Sequence, residues 1–170
     1  STRDELILKG LDEEKVRVYP RGIDTKRFHP SKRNGFFRSY SQLTNRVKLL
    51  YVGRVSKEKN LPLLITTFKQ LVKMGLPVGL VVVGDGPYRE EMMTETAGLP
   101  CEYCGYLKGH ALEAVYASSD LFVCPSTTDT FGNVVLEAQA SGLPVIVTDQ
   151  GGPQENIEPQ VTGLVIKGDD

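Results

Sequence analysis

Short apolar runs that alternate with segments of helical periodicity are the feature that most restricts the fold of this chain. Val47–Val52 and Gly79–Val83 are nearly all apolar and each is followed by a glycine, as in strands buried on both faces of a parallel sheet. The other predicted strands are Cys101–Cys104, Leu121–Cys124, Pro144–Thr148 and Gly163–Ile166. Helices are predicted between them at 61–72, 88–97, 111–117 and 133–140. This alternation predicts an α/β fold with a doubly wound parallel sheet.

Size and composition fit one globular domain. The chain has 170 residues, of which 40% are hydrophobic and 24% charged, with a net charge of -1. Such a charge gives no general attraction to nucleic acid. No apolar run approaches the roughly 20 residues of a membrane-spanning helix, and the polar start Ser1–Asp4 does not resemble a signal peptide. We therefore expect a cytoplasmic protein whose membrane contact, if any, is peripheral and at the inner face.

The cysteines indicate a reduced protein without a metal centre. Cys101 and Cys104 have Cys-x-x-Cys spacing, and Cys124 makes the number odd. A closed zinc site needs four ligands, and the two histidines, His29 and His110, are not paired with each other in the sequence. We predict that these cysteines are core or strand residues.

Unusual residues gather where the predicted strands end. Because doubly wound folds bind ligands at the carboxyl ends of their strands, these junctions form one candidate ligand edge. They comprise Gly53-Arg54, Gly84–Gly86, Gly105–Leu107, Pro125–Gly132 and Gly151-Gly152.

Two carboxylates flank the start of one predicted helix on this edge. Asp129 precedes a helix that begins near Gly132, and Glu137 lies within it. If helical rise applied throughout, about 12 Å would separate them, roughly the reach from a sugar across a diphosphate to a ribose. The unpaired N–H groups at the helix start favour an anion, and Arg54 and Lys59 would offset repulsion from the acids. Asp129 as a helix cap and Glu137 as a buried structural acid are the alternatives.

The stretch 25–57 is the most basic part of the chain, with nine lysines and arginines and no acid. Three interpretations are open for it. It is a solvated basic surface, a positive pole for a diphosphate, or a surface that meets an anionic lipid acceptor.

The spacing from Asp129 to Glu137 resembles the acid, seven residues, acid motif of the retaining glycosyltransferases of family four, which have the two-domain glycosyltransferase B architecture. Val52–Asn60 resembles the Gly-Arg…Lys diphosphate loop of that family. Further segments match it in the same order: Tyr19–Asp24, Phe28–Pro30, Val83–Pro87, Gly105–Leu107, Ser119–Ser126 and Gly151–Glu155. The resemblance covers nearly the whole chain.

The resemblance implies a role for each matching residue. Glu137 would accept the ribose hydroxyls, Asp129 would contact the donor sugar, and Arg54 and Lys59 would hold the diphosphate. The predicted donor-binding set is Gly53, Arg54, Lys59, Gly84, Tyr106, Leu107, Asp129, Phe131, Gly132, Asn133, Val134 and Glu137, and the predicted catalytic set is Arg54, Lys59 and Asp129. No metal and no cofactor is expected, because cations and backbone amides would stabilise the leaving diphosphate.

The resemblance also implies a domain assignment. Residues 1–170 would be the Rossmann-like C-terminal domain that binds a UDP- or GDP-sugar, with 1–24 as the segment leading in from an N-terminal domain. That domain would hold the acceptor, a lipid or a saccharide, so we expect the chain to be inactive alone. Two residues depart from the family pattern: Asp129 stands where Glu is usual, and Arg21 where Asn is usual.

Other functions remain as alternatives on the same fold. One is a nucleotide-sugar epimerase-type domain, and another is a non-catalytic module for nucleotide binding or protein interaction. A dinucleotide-dependent oxidoreductase is disfavoured, because the sequence from Gly84 to Arg89 lacks the third glycine of that fingerprint and contains Pro87.

Overall fold

A computed structural model describes residues 2–17 and 22–168, so Tyr19–Arg21 of the segment 1–24 lie outside the described residues. The predicted strands are confirmed, with ends shifted by at most one residue. They are β1 Val47–Val52, β2 Val78–Val83, β3 Cys101–Gly105, β4 Leu121–Cys124, β5 Val145–Thr148 and β6 Gly163–Ile166. The α-helices are α1 Thr2–Leu8, α2 Leu61–Lys73, α3 Arg89–Glu95, α4 Gly109–Ser118 and α5 Asn133–Ala140.

The strands form one parallel sheet in the order β3-β2-β1-β4-β5-β6. Strand order reverses between β1 and β4, where Leu49 pairs with Leu80 on one side and with Leu121 on the other. In doubly wound folds, a reversal of this kind is where a ligand crevice forms at the carboxyl ends of the strands. The doubly wound fold predicted from the sequence is confirmed.

Each face of the sheet packs against its own helices. Leu49 and Leu80 belong to a buried cluster with residues of α2 and α3. The next strand residues, Leu50 and Val81, belong to a second cluster with residues of α4 and α5. This alternation follows from the two-residue period of a strand.

The segment before β1 was not predicted in detail. It contains the 3-10 helices Pro30–Lys32, Phe36–Ser39 and Ser41–Leu43, and it covers the α4 face near β2. Leu43 is fully buried, and a Cβ at Gly79 would lie 2.6 Å from the Leu43 Cδ2 atom. The absent side chain of Gly79 therefore makes room for Leu43 against β2.

The two cysteines of the Cys-x-x-Cys spacing lie on opposite faces of the sheet. Cys101 packs against the α2 cluster and Cys104 against the α4 cluster. Burial raises the pKa of both thiols to about 11, so both are protonated at neutral pH. All three cysteines are free, and they lie in strands β3 and β4, as predicted. Within the described residues there is no group of three or more side chains suited to a metal ion, and no helix is long and apolar enough to cross a bilayer.

Candidate functional site

The loops that follow β1 and β4 meet at the crevice where strand order reverses. The Lys59 ammonium lies 2.7 Å from Asp129 Oδ1, and the Thr128 hydroxyl donates to the carbonyl oxygen of Glu58 at 3.4 Å. Lys59 belongs to a short 3-10 helix, Lys57–Lys59, that leads into α2. Two of the three predicted catalytic side chains are therefore in direct contact, although 70 positions separate them in the sequence.

Glycines allow the loops after β1, β2 and β3 to pack closely. Gly84 has a φ of 129°, and a Cβ there would collide with the carbonyl oxygen of Gly53. The Gly53 N–H donates to the Val83 carbonyl, and the Gly84 N–H donates to the Gly105 carbonyl at 2.7 Å. The predicted residues Gly53 and Gly84 thus let the loops after β1, β2 and β3 pack against one another.

The start of α5 directly follows the β4 loop that contains Asp129. Gly132 precedes the helix with a φ of 79°, and no side chain caps the helix. Neither Asn133 nor Val134 donates its backbone N–H to a described backbone carbonyl. Because these N–H groups are free and the helix dipole adds positive charge, the position suits an anion. Asp129 does not cap α5, because the Asp129 carboxylate pairs with Lys59 instead.

The loop between β5 and β6 holds the residues between Asp129 and α5. The Gly152 N–H donates to the Asp129 carbonyl at 2.8 Å, and a Cβ on Gly152 would collide with the Thr130 carbonyl. The Asn156 side-chain amide donates to the Phe131 carbonyl at 2.6 Å. Asn156 was not predicted as a site residue, although the segment Gly151–Glu155 beside it was matched to the family.

The two motif acids are not joined by a continuous helix. Because α5 begins at Asn133, Asp129 to Gly132 are non-helical and the 12 Å estimate does not apply to them. Glu137 lies within α5, is half-buried, and accepts a hydrogen bond from the Tyr116 hydroxyl at 2.8 Å. Burial raises the pKa of Glu137, and the hydrogen bond from Tyr116 and the charge of Arg27 oppose that rise. Tyr116 was not among the site residues predicted from the sequence.

Arg54 lies at the rim of the crevice. Its side chain is 65% exposed, and its guanidinium is 3.6 Å from the Glu58 carboxylate. The Tyr51 hydroxyl donates to the Arg54 carbonyl at 2.8 Å and anchors the backbone of the loop. An exposed arginine on an anchored backbone is free to turn toward a phosphate.

Tyr106 and Leu107 follow β3, two strands away from β1 in the sheet. Tyr106 is 73% exposed, and the Lys108 ammonium lies 5.1 Å from the centre of its ring. Leu107 is half-buried and packs against the α4 cluster. Their place in the predicted donor-binding set stays a prediction.

Most cations of the basic stretch 25–57 are paired with acids from elsewhere in the chain. Arg27 and Lys32 contact the Glu113 carboxylate, and Arg33 and Lys48 contact Asp120. Lys57 pairs with Glu91 and Arg54 with Glu58. This pairing neutralises much of the stretch and favours the first interpretation of it, a solvated surface.

The sheet order and the crevice at its reversal point define a doubly wound, Rossmann-like domain with a site suited to an anionic ligand. A family model described as glycosyl transferases group 1 matches residues 33–170. The chain belongs to that family, as the sequence motifs indicated.

Named relatives agree with this assignment. A GDP-mannose-dependent alpha-mannosyltransferase of Corynebacterium glutamicum is 37% identical over 96% of this chain and 38% of its own length. A GDP-mannose-dependent alpha-mannosyltransferase of Mycobacterium tuberculosis is 38% identical over 98% of this chain and 42% of its own length. The sulfoquinovosyl transferase SQD2 of Arabidopsis thaliana is 37% identical over 81% of this chain and 26% of its own length. The chain thus spans less than half the length of these relatives.

Solved structures show the same fold. HepE of Anabaena, in complex with UDP and glucose, superposes with a TM-score of 0.82 at 23% identity, covering 98% of this chain and 47% of HepE. A glycosyltransferase from Rickettsia africae superposes with a TM-score of 0.84 at 21% identity, covering 100% of this chain and 48% of that one.

Proposed function

We propose that this chain is the part of a glycosyltransferase that binds the nucleotide-diphosphate sugar donor, and that the crevice between the β1 and β4 loops is its site. The observation that carries the proposal is the contact between Lys59 and Asp129 beside the uncapped start of α5. A cation, an acid and free N–H groups within one crevice suit a ligand that has both phosphates and hydroxyls.

The diphosphate lies at the start of α5 in this proposal. The N–H groups of Asn133 and Val134 donate to its oxygens, and Gly132 lets the backbone approach closely. Lys59 exchanges Asp129 for a phosphate, and Arg54 turns in from the rim to bind phosphate oxygens with its planar fork. As the bond from sugar to phosphate breaks, these fixed positive groups stabilise the negative charge that develops on the leaving diphosphate.

The ribose and the donor sugar, at the two ends of the ligand, hydrogen-bond through their hydroxyl groups to the two acids. Glu137 accepts from the ribose hydroxyls, and Asp129, once released by Lys59, accepts from the donor sugar. A shorter side chain at position 129 than the glutamate usual in the family places this acceptor further from the sugar. The nucleotide is a uridine or guanosine diphosphate, the two nucleotides named with the relatives and with HepE.

The complete reaction needs more than this chain. We propose a retaining transfer without a metal ion, to a lipid or saccharide acceptor bound by a separate N-terminal domain. The length of the relatives, more than twice that of the aligned segment in the mannosyltransferases, supports such a second domain. The transferase names of the relatives support this function over the epimerase-type alternative.

A thermal-shift panel tests the proposal. The purified chain is heated with uridine, guanosine and adenosine diphosphate, each up to millimolar concentration, with EDTA present and with magnesium instead. At 100 times its dissociation constant, a ligand that binds only the folded state adds about 2.7 kcal/mol of stability. We expect UDP or GDP to stabilise the chain equally with and without magnesium. The proposal is contradicted if none of the three nucleotides raises the melting temperature.

A further inference from the structure

A buried tyrosine contacts the carboxylate to which the proposed function assigns the ribose. Tyr116 lies on α4 and its hydroxyl donates to Oε2 of Glu137, on α5, at 2.8 Å. Across residues 2–17 and 22–168 no other protein group hydrogen-bonds to this carboxylate. Oε2 is therefore held by the protein, and Oε1 keeps its lone pairs for a ligand.

The surroundings of Tyr116 restrict its ring to one position. Its side chain is fully buried. The Phe28 ring meets it edge to face, with centroids 5.5 Å apart and planes at 87°, and the Phe122 ring lies 5.9 Å away. Aromatic pairs of this kind are favourable beyond the area they bury. Because the ring cannot swing, the direction of the hydroxyl is fixed, and so is the plane of the carboxylate that accepts from it.

The contact also bears on the charge of Glu137. Burial favours the neutral carboxyl, whereas a hydrogen bond donated to the carboxylate favours the ionised form. Tyr116 acts only as a donor toward Glu137, because burial raises its pKa well above its usual 10. Two neighbouring ribose hydroxyls need an acceptor that is ionised and correctly oriented, and the phenol contributes to both.

We propose that Tyr116 is a positioning residue for nucleotide binding: it orients the Glu137 carboxylate as an acceptor for the ribose hydroxyls, and Phe28 in turn holds the Tyr116 ring. This role rests on the proposed function, since it requires Glu137 to bind ribose. It makes the ribose contact depend on α4 and on the segment before β1, neither of which would touch the ligand.

Substitution Tyr116→Phe tests the role, because it removes the hydroxyl and keeps the ring. Affinities for a nucleoside diphosphate and for its 2′-deoxy counterpart are measured by calorimetry on the whole chain, for the wild type and the variant. We expect the wild type to prefer the ribonucleotide, and the preference to fall about fivefold in Tyr116→Phe, the equivalent of one lost hydrogen bond. A structural role alone would weaken both ligands by the same factor, and that result overturns the proposal.

Tyr88→Phe is the matched control. Tyr88 is also buried and donates to a carboxylate, Glu95 Oε1, at 2.6 Å, but it packs in the cluster of α2 and α3 on the other face of the sheet. We expect Tyr88→Phe to keep the wild-type preference for ribose. An equal loss of preference in both variants overturns the proposal.

The outcomes separate this proposal from the proposed function. If the wild type binds no nucleoside diphosphate, both fail; if it prefers ribose and Tyr116→Phe keeps that preference, only the role of Tyr116 fails. Should circular dichroism show that Tyr116→Phe is unfolded, Phe28→Leu replaces it, since that variant keeps the hydroxyl but frees the ring. We expect a smaller loss of ribose preference in Phe28→Leu, and an unchanged preference overturns the proposal.

Discussion

Lys59 and Asp129 form an ion pair across the crevice, with 2.7 Å between Nζ and Oδ1, and both side chains are partly buried. The two residues lie in loops that follow β1 and β4, the strands between which the sheet order reverses. In the proposed complex a phosphate takes the place of Asp129 as the partner of Lys59. In the free protein the two side chains are therefore paired with each other, and the ligand must break this ion pair to bind Lys59.

Asp129→Asn is expected to have opposite effects on two ligands. Without the carboxylate, Lys59 has no competing partner and the phosphates meet less negative charge. A nucleoside diphosphate without sugar should bind about fivefold more tightly, the equivalent of ~1 kcal/mol for the loss of a partly buried ion pair. The additional affinity that the sugar gives to a nucleotide-sugar should fall. Calorimetry with both ligands measures the two effects.

Glu91→Gln serves as the control for Asp129→Asn. Glu91 pairs with Lys57 at 2.8 Å, on α3 and outside the crevice, so its loss should leave both affinities unchanged. Weaker binding of the nucleoside diphosphate to Asp129→Asn than to the wild type would contradict the proposed exchange of partners at Lys59.

Arg54→Ala should weaken binding of the diphosphate. A hydrogen bond to a charged group contributes about 1.5–3 kcal/mol, which corresponds to roughly a ten- to hundredfold loss of affinity. Stability should change little, because the Arg54 side chain is exposed and its ion pair with Glu58 is on the surface. Lys57→Ala, which removes a cation three positions along the same loop, is the matched control. Equal affinities of the folded Arg54→Ala variant and the wild type would remove Arg54 from the site.

The strands and helices of the sheet could be predicted because their patterns are local. A parallel strand buried on both faces is almost wholly apolar, as β2 is, and the other predicted strands are short, mostly apolar runs. The predicted ligand edge followed from the rule that such strands end at one side of the sheet, which placed Arg54 and Asp129 at the same edge. Lys59 was expected there because two acids beside a diphosphate need cations to offset their repulsion.

What could not be predicted depends on contacts between distant parts of the chain. The 3-10 helices before β1 are held by burial of residues such as Leu43 against β2 rather than by a periodic pattern of their own. The bond from Tyr116 to Glu137 joins residues 21 positions apart on two helices, and its existence depends on how those helices are rotated against the same sheet face. Spacing in the sequence carries no signal for that rotation.

Glu137→Gln should stabilise the chain at neutral pH while weakening nucleotide binding. Burial raises the pKa of Glu137, so its ionised form costs folding free energy above that pKa. As the pH falls through the raised pKa toward the ordinary value near 4.5, the carboxyl takes up a proton and the cost disappears. Gln keeps an oxygen that can accept from Tyr116 but carries no charge. Thermal unfolding should therefore give a higher Tm for Glu137→Gln at pH 7, with the difference shrinking in acid.

Glu155→Gln, which changes an exposed acid, is the control for that comparison and should leave the Tm at pH 7 close to that of the wild type. A lower Tm for Glu137→Gln at pH 7 would mean that Glu137 is a stabilising structural acid, the alternative left open by the sequence.

Glu113→Gln should show the opposite dependence on pH. The Glu113 side chain is buried on α4, and the Arg27 Nε donates to its Oε1 at 3.1 Å, with His110 and Lys32 close to Oε2. The hydrogen bond from Arg27 is the main reason why the pKa of Glu113 is lowered. A lowered pKa adds stability above the ordinary value near 4.5, and this stability is lost as the pH falls through the folded-state pKa. The variant should unfold at a lower Tm than the wild type at pH 7, and the two curves should converge in acid. Arg27 precedes Phe28, which packs on Tyr116, so the same substitution should also reduce the preference for ribose over 2′-deoxyribose. The test of the charge effect is the pH dependence of the Tm. A Tm difference that persists undiminished at low pH would show that packing, rather than charge, accounts for the effect of Glu113.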